Sequence, residues 1–461
     1  DGIATATLTN TVAGTSNVVA TIDTVNANID TAFVAGAVAT ITLTAPVNGA
    51  VADGADTNQV DALVEDANGN PITGAAVVFS SANGATILSS TMNTGVNGVA
   101  STLLTHTVAG TSNVVATVDT VNANIDTAFV PGAVATITLT TPVNGAVADG
   151  ANSNSVQAVV SDSEGNAVAG AAVVFSSANA TAQITTVIGT TGADGIATAT
   201  LTNTVAGTSN VVATLDTVNA NIDTAFVAGA VATITLTAPV NGAVADGVNT
   251  NSVQAVVSDS GGNPVTGATV VFSSTNATAQ ITTVIGTTGA DGIATATLTN
   301  TVAGTSNVVA TVDTVTNNID TVFVAGAVAT ITLTTPVNGA VADGTDSNHV
   351  QAVVSDSDGN PVTGAAVVFS SANATAQITT VIGTTGADGI ATATLTNTVA
   401  GTSNVVATVD TVNANIDTAF VAGAVATITL TTPVNGAVAD GANSNSVQAV
   451  VSDSDGNPVT G

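Results

Sequence analysis

The string Val-Ala-Thr-Ile-Thr-Leu-Thr begins at Val38, Val134, Val231, Val328 and Val425, so the chain repeats itself at spacings of 96, 97, 97 and 97 residues. A second string, Asp-Gly-Ile-Ala-Thr-Ala-Thr-Leu-Thr-Asn, recurs at Asp1, Asp194, Asp291 and Asp388. A solenoid coil spans only about 20–45 residues. The period here has the size of a self-sufficient β-sandwich, about 100 residues. The chain therefore reads as a tandem array of whole domains. Short Gly-centred junctions (Ala35-Gly36-Ala37, Pro131-Gly132-Ala133, Ala228-Gly229-Ala230, Ala325-Gly326-Ala327, Ala422-Gly423-Ala424) place complete repeats at 36–131, 132–228, 229–325 and 326–422. Residues 1–35 are then the C-terminal part of a repeat, and 423–461 the N-terminal part of another. Connections this short do not act as floppy tethers. The expectation is a semi-rigid rod gaining roughly 35–45 Å per domain, from about 3.3 Å per strand residue plus end loops.

Within a repeat the pattern is strand after strand. Ala135–Thr140 alternates apolar residues with Thr, and Val156, Ala158 and Val160 alternate with Gln157, Val159 and Ser161. Ala197, Ala199 and Leu201 alternate with Thr198, Thr200 and Thr202. Period two is the signature of a half-buried strand. Val and Thr are stiff at χ1 and favour the extended chain. Turn signals separate the runs: Pro142-Val143-Asn144-Gly145, Glu164-Gly165-Asn166, Ala193-Asp194-Gly195 and Asn219-Ala220. No window carries a helical period. Seven or eight short antiparallel strands per repeat make an all-β sandwich. The nine Phe fall at two positions of the repeat (Phe79, Phe175, Phe272, Phe369; Phe33, Phe129, Phe226, Phe323, Phe420) and read as core anchors.

Composition excludes most chemistry. The chain has 31 acidic residues, no Lys or Arg, and no Cys, Trp or Tyr. Nothing neutralises phosphates, which argues against nucleic acid as a partner. Schiff-base chemistry, arginine clamps, Lys–Asn crosslinks and polybasic membrane binding are ruled out for the same reason. Without Cys there are no disulfides and no thiolate site. Thr, Ser, Asn and Gly interrupt every apolar run short of the roughly 18 residues of a spanning helix, so no membrane insertion is expected of this segment. No signal peptide is evident. Asp1 and Gly461 both fall inside a repeat, which reads as a window on a longer array.

Several elements in order carry a family resemblance: Asp149-Gly150, the run Val156–Asp162, Gly359-Asn360-Pro361-Val362, Val367-Val368-Phe369, Asp388-Gly389 and Ala400-Gly401-Thr402. Together they resemble the bacterial Ig-like group 1 (Big-1) domain of invasin- and intimin-type adhesins, over essentially the whole chain. The resemblance implies tandem Ig-like sandwiches in the stalk of an extracellular, bacterial cell-surface adhesin. A binding tip would lie elsewhere, and its ligand is not named by these residues. The expected function is structural, not enzymatic. The partners are neighbouring repeats or copies of the same chain. The alternatives are a filament joined by strand complementation between subunits, or a repeat module that binds a cation or ligand.

Four features invite a site. His106 stands where other copies have Asn, and His349 where they have Ser or Gln; neither has a catalytic partner, and both read as solvent-facing. Asp162-Ser-Glu164-Gly-Asn166 and Asp356-Ser-Asp358-Gly-Asn360 begin like a calcium loop. Their third position varies as Asn68, Glu164, Gly261, Asp358 and Asp455, which favours a hairpin turn. Asn179, Asn276 and Asn373 head Asn-Ala-Thr sequons. Finally, two Asp lie seven apart in every copy: Asp23/Asp30, Asp119/Asp126, Asp216/Asp223, Asp313/Asp320 and Asp410/Asp417. A two-residue turn at Asn219-Ala220 would set Asp216 against Asp223 on the outer face. Like charges across a ladder repel, so each pair becomes a candidate site for weakly bound calcium. Screening by solvent is the other reading. No cofactor is otherwise required.

Overall fold

Alternation of Thr with small apolar residues gives two-faced strands, and each repeat stacks two such sheets. The computed structural model describes residues 1–461, none of them helical. In the repeat spanning 132–227 the strands are β1 (Thr136–Val143), β2 (Ala146–Val147), β3 (Ser153–Ser161), β4 (Val174–Ser177), β5 (Gln183–Ile188), β6 (Ile196–Thr202), β7 (Gly207–Leu215) and β8 (Val218–Val227). One sheet has the order β1-β3-β6-β5, and the other β2-β8-β7-β4. All pairings are antiparallel except β2 with β8, which run parallel with Ala146 opposite Phe226 and Val147 opposite Val227.

The inner faces are those that alternation selects. Val156, Ala158 and Val160 of β3, Ala197, Ala199 and Leu201 of β6, and Val211 and Ala213 of β7 are all buried. Phe175 and Phe226 join them in a core that includes no buried residue of another repeat. Three further cores, each built mainly of Val and Ala around two Phe, lie in the other complete repeats, around Phe79/Phe129, Phe272/Phe323 and Phe369/Phe420. The Asp194-Gly195 turn shows why glycine is needed there. Gly195 has φ +73°, and a Cβ on it would stand 2.7 Å from the Val160 carbonyl, too close for any side chain.

Two compact units, Asp1–Val227 and Ala228–Gly461, divide the chain. The first begins with a lone hairpin, Gly14–Ile22 with Val25–Phe33. The second ends with a two-stranded sheet, Thr427–Val434 with Ser446–Ser452. The repeat at 36–131 departs from the others. Its Thr91–Asn93 segment joins the sheet of Ala76–Ser81, making that sheet five-stranded.

One turn differs from expectation. In the β7–β8 hairpin Leu215 faces Val218, so the turn is Asp216-Thr217, not Asn219-Ala220. Asp216 takes φ 51°, and its counterparts Asp23, Asp119, Asp313 and Asp410 take 51–54°. Aspartate tolerates this left-handed region because its short polar side chain bonds locally.

Candidate functional site

The turn displaces the expected cation site. Asp223 faces Asn210 in the ladder, and Asn210 Nδ2 donates to Asp223 Oδ1 at 2.7 Å. Asp126 with Asn113, Asp320 with Asn307, and Asp417 with Asn404 repeat this bond at 2.7–2.8 Å. Their supposed mates Asp119, Asp216, Asp313 and Asp410 sit instead at the first turn position. The cross-strand carboxylate pair on which the calcium reading rested is therefore not formed. No group of three or more His, Cys, Asp or Glu comes together anywhere in the chain.

The aspartate that matters lies in the loop read as a hairpin turn. Asp162 and Asn166 form that turn, with Asp162 N donating to Asn166 O at 3.0 Å. Both side chains are buried, at 2% and 9% exposure. Asp162 Oδ1 accepts the Glu164 and Asn166 amides at 3.1 and 2.7 Å. Oδ2 accepts Gly132 N of the linker at 2.9 Å and Asn166 Nδ2 at 3.0 Å. One carboxylate thus fixes both its own loop and the linker. The Asn166 amide reaches into the preceding repeat. Its Oδ1 accepts Ala109 N at 2.8 Å, and its Nδ2 donates to Thr107 O at 3.1 Å and Ala52 O at 3.4 Å. Donor and acceptor of one planar amide are used at once.

The clasp recurs. Asn70 accepts Ala13 N at 2.8 Å and donates to Thr11 O at 2.9 Å, while Asp66 Oδ2 holds Gly36 N at 2.8 Å. In the second unit Asn360 engages Ala303 N and Thr301 O at 2.8 and 3.1 Å, and Asn457 engages Ala400 N and Thr398 O at 2.7 and 3.1 Å. Asp259, Asp356 and Asp453 hold the linker amides of Gly229, Gly326 and Gly423 at 2.8–2.9 Å. The linker glycines fit closely here: a Cβ on Gly132 would come within 3.3 Å of Val51 Cγ1.

Burial pushes the Asp162, Asp259 and Asp356 carboxyls up, yet their N–H donors outweigh it and hold them below the usual carboxylate range. Asp66 is lowered furthest, first by the Gly36 amide and then by Asn70. The junction is therefore an ionised carboxylate enclosed by N–H donors. Beside the clasp lies a cleft lined in the second unit by Phe323, Val324, Pro361, Val362 and Ala387, a lining without acid or base.

A second buried asparagine ties the two ends of each repeat together. Asn154 Oδ1 accepts Ala146 N of β2, and Nδ2 donates to Ala225 O of β8, each at 2.9 Å. Asn58, Asn251 and Asn348 do the same in the other repeats. Sequence reasoning missed both asparagines. The signal was present in the copies, where Asp and Asn of the D-x-x-x-N loop persist while the residue between them drifts from Asn to Glu, Gly and Asp.

His349 is exposed in its strand. His106 is half-buried and not merely solvent-facing: its Nε2 lies 3.0 Å from Asn83 O, and its ring meets Phe129 edge-on at 5.7 Å. It displaces an asparagine that elsewhere satisfies a buried serine, as Asn203 Nδ2 does for Ser209 Oγ at 3.0 Å. In its own repeat the buried Ser112 Oγ is left without a partner. The Asn179 amide is occupied by Ser209 Oγ at 3.1 Å, with Thr181 Oγ1 donating to its Oδ1.

Comparison with known proteins agrees with this architecture. The model of the bacterial Ig-like domain (group 1) matches residues 40–130, 136–227, 233–324 and 330–421. Among solved structures, invasin, a bacterial integrin-binding protein, is 22% identical with a TM-score of 0.45, covering 87% of this chain and 82% of its own. The Escherichia coli adhesin FdeC is 23% identical with a TM-score of 0.47, covering 63% of this chain and 99% of its own. Yersinia pseudotuberculosis InvD is 20% identical with a TM-score of 0.43, covering 61% and 96%. With four family matches spanning most of its length, one for each complete sandwich, the chain belongs to the bacterial Ig-like domain (group 1) family.

Proposed function

We propose that this array is the stalk of a bacterial surface adhesin, a spacer that holds a distal binding tip away from the cell. The observation that carries the reading is the recurring Asp–Asn clasp. A spacer needs neighbouring domains held in a defined relation, and each clasp fixes a linker amide and two backbone groups of the preceding repeat. Independent cores add to the reading, because a spacer lengthens by whole repeats without disturbing those already present. Membership of a family found in invasin- and intimin-type proteins supports an extracellular location.

The test is a ruler experiment. The chain is placed between an outer-membrane anchor and a reporter epitope on a bacterial cell, and whole repeats are excised one at a time, 132–228 first. Reporter height should fall by roughly 35–45 Å per excised repeat, the length expected of such a sandwich. Height independent of repeat number would refute the stalk reading.

A further inference from the structure

The chain enters each repeat just ahead of β1 and β2 and leaves it from β8. Those ends are joined by a dense set of bonds. Gly145 N donates to Ala225 O at 3.0 Å and Ala148 N to Val227 O at 2.9 Å. Ala225 N donates to Asn144 Oδ1 at 2.7 Å, and the buried Asn154 amide bridges Ala146 N to Ala225 O. Every complete repeat keeps the arrangement. Asn48, Asn241 and Asn338 take the place of Asn144, accepting from Ala128, Val322 and Ala419 at 2.7–2.8 Å.

We propose that each repeat is a tensile element whose second and last strands, β2 and β8, form a shear-loaded lock. β2 and β8 are parallel, so tension on the N-terminal side of β2 and the C-terminal side of β8 drives the two strands past each other along their common axis. All the bonds between them are then strained together and must break together. An antiparallel hairpin pulled at its open end gives way one bond at a time. The asparagine side chains add to the lock at a place where β2 itself is only two residues long. Asn154 also leaves the half-buried Ala146 N without its partner if it lets go, a costly state for a donor shielded from water. This function rests on the stalk reading for its biological use. The mechanical property is a feature of the repeat alone and is measured without reference to adhesion.

The experiment is force-clamp unfolding of the full chain. The absence of native Cys allows a single Cys handle at each end. Repeats should unfold singly, each releasing about 300 Å of chain at no more than 3.3–3.6 Å per residue. One variant carries Asn48→Ala, Asn144→Ala, Asn241→Ala and Asn338→Ala, removing the exposed acceptor from every lock. A control carries Thr94→Val, Thr191→Val, Thr288→Val and Thr385→Val. These hydroxyls staple a loop away from the terminal strands, as Thr191 does by donating to Val168 O at 2.6 Å and accepting Ala171 N at 2.8 Å. A denaturant titration confirms that each protein is folded and gives its equilibrium stability. The asparagine variant should shorten repeat lifetime at fixed force about fivefold, the equivalent of roughly 1 kcal/mol. The threonine control should lose equilibrium stability with little change in lifetime. Asn→Asp at the same four lock positions keeps the Oδ1 acceptor and should restore the lifetime. Lifetimes that track equilibrium stability across the three variants would overturn the lock, and so would Asp variants as weak as Ala.

Discussion

Replacing Asn166 by Ala deletes a side chain that acts mainly on a different repeat from its own. Across the junction it removes the acceptor of Ala109 N at 2.8 Å and the donor to Thr107 O at 3.1 Å, leaving aside the longer contact to Ala52 O and the bond to Asp162 Oδ2 within its own loop. Two hydrogen bonds at about 0.5–1.5 kcal/mol each give a net loss near 1–3 kcal/mol, with Ala109 N–H left in a partly buried place. The readout is hydrogen exchange on the full chain. The Ala109 amide has only the Asn166 side chain to protect it, so its protection should fall about 10- to 100-fold, at tenfold per 1.4 kcal/mol. Amides of β3 and β6, bonded inside the 132–227 sandwich, should keep theirs. Asn166→Asp should be worse than Ala: it retains the acceptor but turns a carboxylate toward the Thr107 carbonyl and the Asp162 carboxylate. An uncompensated buried charge costs about 3–5 kcal/mol. Unchanged protection at Ala109 would refute the clasp, and equal loss throughout 132–227 would show that Asn166 merely supports its own turn.

Three further outcomes are expected. Phe226→Ala, which empties a side chain only 3% exposed, should destabilise its own repeat by about 3–5 kcal/mol; exchange in the cores around Phe272 and Phe369 should stay unchanged, and a loss shared by all repeats would contradict separate cores. His106→Asn should raise the stability of the 36–131 repeat by about 1 kcal/mol by giving Ser112 Oγ the donor it lacks, seen as a later denaturant midpoint; a lower midpoint would mean that the Phe129 contact outweighs it. Acid should weaken the clasps. Asp162, Asp259 and Asp356 are held below their unfolded value, so their contribution is complete above about pH 4 and is lost as pH falls through the lowered range. Relief of the chain's −31 self-repulsion works in the opposite direction, so the measure is the stability gap between the native chain and an Asp162→Asn, Asp259→Asn, Asp356→Asn variant. That gap should close below pH 4, and a gap independent of pH would contradict the account.

The sandwich was legible because its determinants are local. Period-two runs such as Ile196–Thr202 become strands with the inward set buried, and both Phe positions are core anchors in every complete repeat. The hairpin register was misread because Asn219-Ala220 has turn chemistry and Asp216-Thr217 does not announce a left-handed φ. Alternation already opposed that choice: Val218, Ala220, Ile222, Thr224 and Phe226 run unbroken down one face of β8, leaving no room for a turn at Asn219. The clasp lay out of reach for a different reason. Asn166 finds its partners 57 and 59 positions away, in another domain, where no local pattern records them. His106 was likewise judged by its own surroundings, although its meaning lies in the serine left unpaired at Ser112.

Small-angle scattering of the full chain, with and without its clasps, tests the central claim that clasped junctions make the array a spacer. The stalk reading expects the native chain to scatter as an elongated particle of roughly 150–200 Å or longer, from the strand rise summed over successive repeats. Asn→Ala at Asn70, Asn166, Asn360 and Asn457 should leave every sandwich folded while shortening the mean end-to-end distance and broadening its distribution. A compact native particle, or identical curves for the native and clasp-free chains, would contradict the account.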